Sequence, residues 1–166
     1  MSQADEIAVL FQSWDHPDSI HLRSKQRAEI LSLAGDDPGT PPTASNVPIF
    51  VVAYLSGIPV GCGGLRPLQD LSGLGHDNAA EIKRMFVDPA HRGAIGSGTS
   101  IAHRILRELE SEARGRGWSV LVLETGDLLV GARRFYEKCG FVPRGKFGSY
   151  IDAPHSVFYE KSLGEV

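Results

Sequence analysis

The sequence predicts an α/β (α+β) fold around a mixed sheet, on three observations. In "IFVVAYL-SG-IPVGCGGLRP" two apolar runs flank Ser56-Gly57, a turn dipeptide, and read as an antiparallel hairpin. The runs "AAEIKRMFVDP" and "SVLVLET" read as strands with a helix between them, and a strand–helix–strand unit favours parallel pairing. That helix carries Ile101, Ala102, Ile105, Leu106, Leu109 and Ala113 at helical spacing, so it buries one face.

The remaining elements follow in order. "EIAVLFQSW", Glu6 to Trp14, has alternation and β-branched content and reads as a first strand. Asp15 and Asp18 offer caps for a weakly periodic helix from about Ser19 to Ala34. Gly35 to Pro48 is rich in proline and glycine and reads as a long loop, as does Leu68 to Asn78. Pro89 closes the strand after that second loop. "LLVGARRFYEKCG" is a short helix with Leu129, Ala132, Phe135, Tyr136 and Cys139 on neighbouring turns and Gly140 as its stop. Two strands, near "FVPRGKF" and "SVFYEKSL", close the sheet. No repeat or linker interrupts the chain, so residues 1–166 are expected to form one domain.

Composition narrows the function. A 166-residue chain, 42% hydrophobic and 22% charged, matches a soluble globular domain with a sizeable core. A net charge of −3 argues against a broad nucleic-acid surface. No apolar run approaches the ~20 residues of a membrane span, and the first residues lack a signal-peptide pattern. With only Cys62 and Cys139, a disulfide framework is not expected, and a cytoplasmic location is. The six histidines show no metal-ligand spacing, so no metal is assigned.

The stretch "VDPAHRGAIGSGTSIAHRIL" places Gly93, Gly96 and Gly98 within six residues, just before the second helix. Glycine disfavours helix by about 1 kcal/mol per interior site, so its presence there needs a reason. Helix starts expose unpaired N–H groups and partial positive charge, and glycine lets backbone approach a phosphate closely. The alternative is a loop that uses glycine only for turns. A dinucleotide fingerprint fails, because Gly96-Ser97-Gly98 is followed by Thr99, Ser100 and Ile101. A P-loop fails for want of a Gly-Lys pair.

The flanks add a resemblance. "AAEIKRMFVDPAHRGAIGSGTSIAHRILRELE" resembles the acyl-CoA-binding segment of the GNAT superfamily of N-acetyltransferases. "ARRFYEKCGF" is similar to that family's helix–strand corner, with Tyr136 at its tyrosine position. "VGCGGLRP" and "FGSYIDAPHSVFYEKSL" are similar to strands of a bacterial single-domain subgroup, and the likeness runs from about Ile49 to Leu163. It implies a mixed, mostly antiparallel central sheet of about seven strands flanked by three to four helices. It also implies acetyl-CoA as acyl donor, a small-molecule amine as acceptor, and neither nucleic acid nor membrane as partner. Oligomeric state stays open, a homodimer included.

Residue by residue, the resemblance implies that the main chains of Met85, Phe86 and Val87 hold the pantetheine arm. It makes Arg92, Gly93, Ala94, Ile95, Gly96, Ser97, Gly98 and Thr99 the pyrophosphate turn, one residue longer than the usual family spacing. Leu129 replaces an asparagine common in the family. Tyr136 becomes the donor to the departing sulfur, the alternative being a half-buried helix tyrosine. An amine of pKa near 10.4 is neutral in only about one molecule in 2,500 at pH 7, a cost of roughly 4.6 kcal/mol that a carboxylate base would reduce. Glu81 matches the family's base position, the alternative being a surface glutamate at a strand end. Strand parity would place Glu81, Lys83, Met85 and Val87 on one face and Ile82, Arg84 and Phe86 on the other. Arg84, His76, Tyr150 and Asp152 are further residues that could border the acceptor, each also readable as a solvated side chain. The competing function is a non-catalytic acyl-CoA-binding or sensing module.

Overall fold

A computed structural model describes residues 6–33, 38–95, 99–150 and 153–164. The chain runs β1 (Ile7–Phe11), α1 (Pro17–Leu33), β2 (Ile49–Leu55), β3 (Ile58–Pro67), β4 (Ala79–Val87), β5 (Ala94–Ile95), β6 (Thr99–Ser100), α2 (Ile101–Gly115), β7 (Val120–Gly126), α3 (Val130–Lys138), β8 (Val142–Arg144) and β9 (Ser156–Ser162). Seven strands form one sheet in the order β1-β2-β3-β4-β7-β9-β8, antiparallel everywhere except between β4 and β7. The short β5–β6 pair, which the sequence reading did not anticipate, stands apart from it.

Alternation along β2 divides the two faces of the sheet. Ile49, Val51 and Ala53 pack with Ile101, Ile105, Leu106, Leu109 and Ala113 of α2, while Phe50 and Val52 pack with Trp14 and Leu22 on the α1 side. Tyr136 and Phe141 belong to the α2 face. On the α1 face the far half of the sheet is covered by Leu74, Phe147 and Tyr150, which pack on Ala79, Val120, Val122 and Phe158. The β2–β3 turn has Ser56 at φ 49° and Gly57 at φ 81°, the left-handed pair that suits a two-residue hairpin.

Two boundaries and one strand's parity differ from expectation. The first strand stops at Phe11 rather than Trp14, because Trp14 turns inward onto Phe50 in the α1 cluster. The first helix begins two residues early, at Pro17, a residue suited to a first helical turn. Face parity along β4 also breaks. Cys62 pairs Phe86 while Gly64 pairs Lys83, so β4 holds one extra residue, and Arg84 sits there at φ 59°. Glu81 and Lys83 therefore face the α1 side, Met85 and Val87 pack on the α2 side, and Phe86 returns to the α1 side.

Candidate functional site

The parallel pairing of β4 with β7 covers only Ala79–Glu81 against Val120–Val122. Beyond it the strands are unpaired, and a cleft of about 1200 Å3 is bordered by residues 82–87 of β4 and 124–126 of β7. A β4 edge without a strand partner presents backbone amide groups to any extended chain laid along it, in the manner of strand addition. Met85, Phe86 and Val87 lie on that stretch. The bulge is held by side chains: Gln26, which also lines the cleft, donates from Nε2 to the Met85 carbonyl at 2.9 Å, and Cys62 Sγ donates to the Arg84 carbonyl at 3.4 Å.

Tyr136 stands on the α2 side of the cleft wall, 7% exposed, with its ring against Phe135 and edge-on to Phe141. Its hydroxyl has no hydrogen-bond partner among the described residues. Burial first, then the nearby Cys139 and Glu124, pushes its pKa well above the usual tyrosine value. The group stays protonated throughout the neutral range and can donate.

The start of α2 also borders the cleft through Thr99 and Ser100. Ser100 is the cap, its Oγ accepting from the His103 N–H at 3.0 Å. Gly93 lies on the wall at φ 99°, a backbone state that a side chain would strain. Gly96, Ser97 and Gly98 lie outside the described residues, as does Asp152. Arg92 borders the cleft but is directed elsewhere: its Nη2 donates to both Glu29 carboxylate oxygens at 2.8 Å and its Nε to the Val87 carbonyl at 2.8 Å. Leu129, at the cap of α3, makes no side-chain cap bond, so the substitution for asparagine leaves that helix start uncapped by its side chain.

Glu81 is placed behind the cleft wall. It is 1% exposed and directly opposite Arg66 across β3 and β4. Arg66 Nε and Nη2 donate to Oε1 at 3.1 and 2.8 Å, the Tyr150 hydroxyl donates to Oε2 at 2.5 Å, and Lys83 Nζ lies 3.9 Å from Oε2. Lys83 in turn donates to the Tyr150 hydroxyl at 3.0 Å. Of these four, only Lys83 borders the cleft. Burial, with Glu81 beside it, drives the Tyr150 pKa far upward, so this hydroxyl too stays protonated. Arg84 borders the cleft, whereas His76 pairs with Glu160 at 2.6 Å and does not.

Glu124 went unrecognised in the sequence. It is half-buried on the cleft wall at the open end of β7, and Ser156 Oγ donates to its Oε1 at 3.1 Å. The signal was present: "VLVLETG" turns polar at Glu124 after four apolar residues, where a buried strand meets a site. Among the described residues there is no cluster of three metal-ligating side chains, and no helix is long and apolar enough to cross a membrane.

A seven-stranded sheet opened between its parallel pair, with a donor hydroxyl and a helix start on the opening, is the architecture of an acyl-CoA-dependent transferase. The GNAT acetyltransferase family model matches residues 12–141, and the chain belongs to that family. It is 43% identical over 114 residues to an IAA acetyltransferase of Azospirillum brasilense, an alignment covering 69% of this chain and 67% of that one. A solved structure from Klebsiella pneumoniae, assigned as an acyl-CoA N-acyltransferase, is 30% identical with a TM-score of 0.72, over 95% of this chain and 98% of that one. The fold also matches an assigned acetyltransferase of Salmonella typhimurium solved with its cofactor acetyl-CoA, at 19% identity and a TM-score of 0.67, over 96% and 95% of the two chains.

Proposed function

We propose that this chain transfers an acetyl group from acetyl-CoA to a primary amine of a small molecule, by direct attack with general-base assistance. The Tyr136 hydroxyl carries the reading: a protonated donor, without a protein partner among the described residues, on the wall of a cleft of about 1200 Å3. In this reading the backbone groups of Met85, Phe86 and Val87 that Gln26 and Arg92 leave unbonded pair with the amides of the pantetheine arm. The turn from Gly93 to Thr99 and the start of α2 receive the pyrophosphate, and Arg92 reaches it by leaving Glu29. Tyr136 hydrogen-bonds the sulfur as the C–S bond breaks, which stabilises the developing thiolate. Glu81 positions Lys83 and Tyr150 beneath the acceptor. Free Cys62 and Cys139 agree with a cytoplasmic setting.

The test is thiol release from acetyl-CoA by the purified protein in the presence of a panel of primary amines. The name of the A. brasilense relative adds IAA to the compounds assayed. Amine-dependent release with an acetylated product is expected. Binding of acetyl-CoA with no release for any compound would make the chain an acyl-CoA-binding module instead.

A further inference from the structure

We infer that Glu124, not Glu81, is the carboxylate that takes the proton from the acceptor amine; the inference rests on the acetyl-transfer reading above. The parallel register sets Glu81 against Val122. Two residues further on, Lys83 and Glu124 follow on the same face, at the point where the strands part. That face is the α1 side, since Val122 packs there with Tyr150 and Phe158. Tyr136 reaches the cleft from the opposite side, where it packs with α2 residues. A thioester lying between the strands thus meets a carboxylate on one side and a hydroxyl on the other.

Glu81 lacks this access, because its two oxygens are bonded to Arg66 and Tyr150 behind the wall. Glu124 is on the wall, steadied by Ser156. Its charge is felt by both flanking hydroxyls and contributes to raising the pKa of Tyr136 and of Tyr150. Other titratable groups on the cleft wall include Lys83 and Arg84 on β4, Asp127 after β7, Arg134 and Lys138 on α3, and His155 before β9, with Asp127 and His155 3.4 Å apart.

The protons balance. Glu124 accepts one proton from the ammonium and releases it to solvent, which leaves a neutral amine. The nitrogen bonds to the carbonyl carbon, the C–S bond breaks, and the second nitrogen proton ends on the sulfur as the coenzyme A thiol.

Glu124→Gln keeps the size and an oxygen for Ser156 but cannot accept a proton. It is assayed with acetyl-CoA and the primary amine that the wild type acetylates fastest. The expected loss in kcat/KM for the amine is about 100-fold at pH 7, within the usual range for a lost base. The loss shrinks toward pH ~10, where solvent supplies neutral amine, and the KM for acetyl-CoA stays unchanged. Glu124→Ala provides a second readout, with added formate restoring part of its rate. A wild-type rate in Glu124→Gln, or a loss constant with pH and untouched by formate in the alanine variant, overturns the inference. A wild type that acetylates no amine overturns the acetyl-transfer reading itself.

Discussion

Arg66 and Glu81 stand directly opposite each other on β3 and β4, with the guanidinium Nη2 2.8 Å from the Glu81 Oε1. Both are almost completely buried, and Thr40, Tyr150 and Lys83 supply the remaining contacts. Removing one member of such a pair leaves a buried charge without its partner. Glu81→Gln is expected to cost about 3–5 kcal/mol of stability, the range for a broken buried pair, measured by urea unfolding. Its loss of activity should not vary with pH, in contrast to Glu124→Gln.

Tyr136 offers a test of leaving-group assistance. A thiol near pKa 8.5 is a stronger acid than tyrosine near 10, so full proton transfer is uphill by about 2 kcal/mol and the hydrogen bond itself matters more. Tyr136→Phe should lower kcat by roughly 10- to 100-fold with little change in acetyl-CoA affinity. Because burial raises the Tyr136 pKa, deprotonation of this group should cause no fall in wild-type rate up to pH ~10. An unchanged kcat in the phenylalanine variant would reduce Tyr136 to packing.

Cys62 sets an alkaline limit on stability. Burial pushes its thiol from 9.0 up to about 12. The folded state therefore holds the proton more tightly than the unfolded chain does. Stability is complete below pH 9 and falls as pH rises toward 12, because the unfolded thiol ionises first. At pH 10.5 the loss relative to pH 8 should be about 2 kcal/mol from this group, at ~1.36 kcal/mol per unit. Tyr136 and Tyr150, also shifted upward, steepen the decline above pH ~10. Denaturant midpoints across that range provide the measurement, and Cys62→Ala should flatten the part between pH 9 and 10.

Cofactor binding should stabilise the fold by about 2.7 kcal/mol at 100 times the dissociation constant, visible as a melting shift. Gly96→Asp puts a side chain and a negative charge into the glycine turn, so the shift should vanish while the apo protein still folds. Glu29→Gln tests Arg92 from the other side. If Arg92 leaves Glu29 to meet phosphate, loss of that bidentate contact should tighten acetyl-CoA binding. A shift undiminished in Gly96→Asp would move the phosphates elsewhere.

Local pattern was sufficient where local physics decides. The hairpin turn falls on Ser56-Gly57, the loop expected at Leu68 to Asn78 fits between β3 and β4, and five of the six residues expected on the buried face of α2 are buried. The β4 bulge was not readable in the same way. Period-two parity carries through a strand unless an extra residue is inserted, and this one is held by Gln26 and Cys62, far away in sequence. The pairing of Glu81 was not readable for a related reason. Its partner Arg66 lies across a long loop, so nothing local marked the carboxylate as occupied. Arg92 likewise finds Glu29 only once α1 packs beside β4.

Acetyl transfer to an amine is read out by isotope tracing. Purified protein is incubated with deuterium-labelled acetyl-CoA and a metabolite extract, and the products are analysed by mass spectrometry. The labelled acetyl group is expected on the nitrogen of a primary amine, accumulating much more slowly with Tyr136→Phe. Label recovered only as acetate and unreacted acetyl-CoA, or transferred equally well without protein, would contradict it.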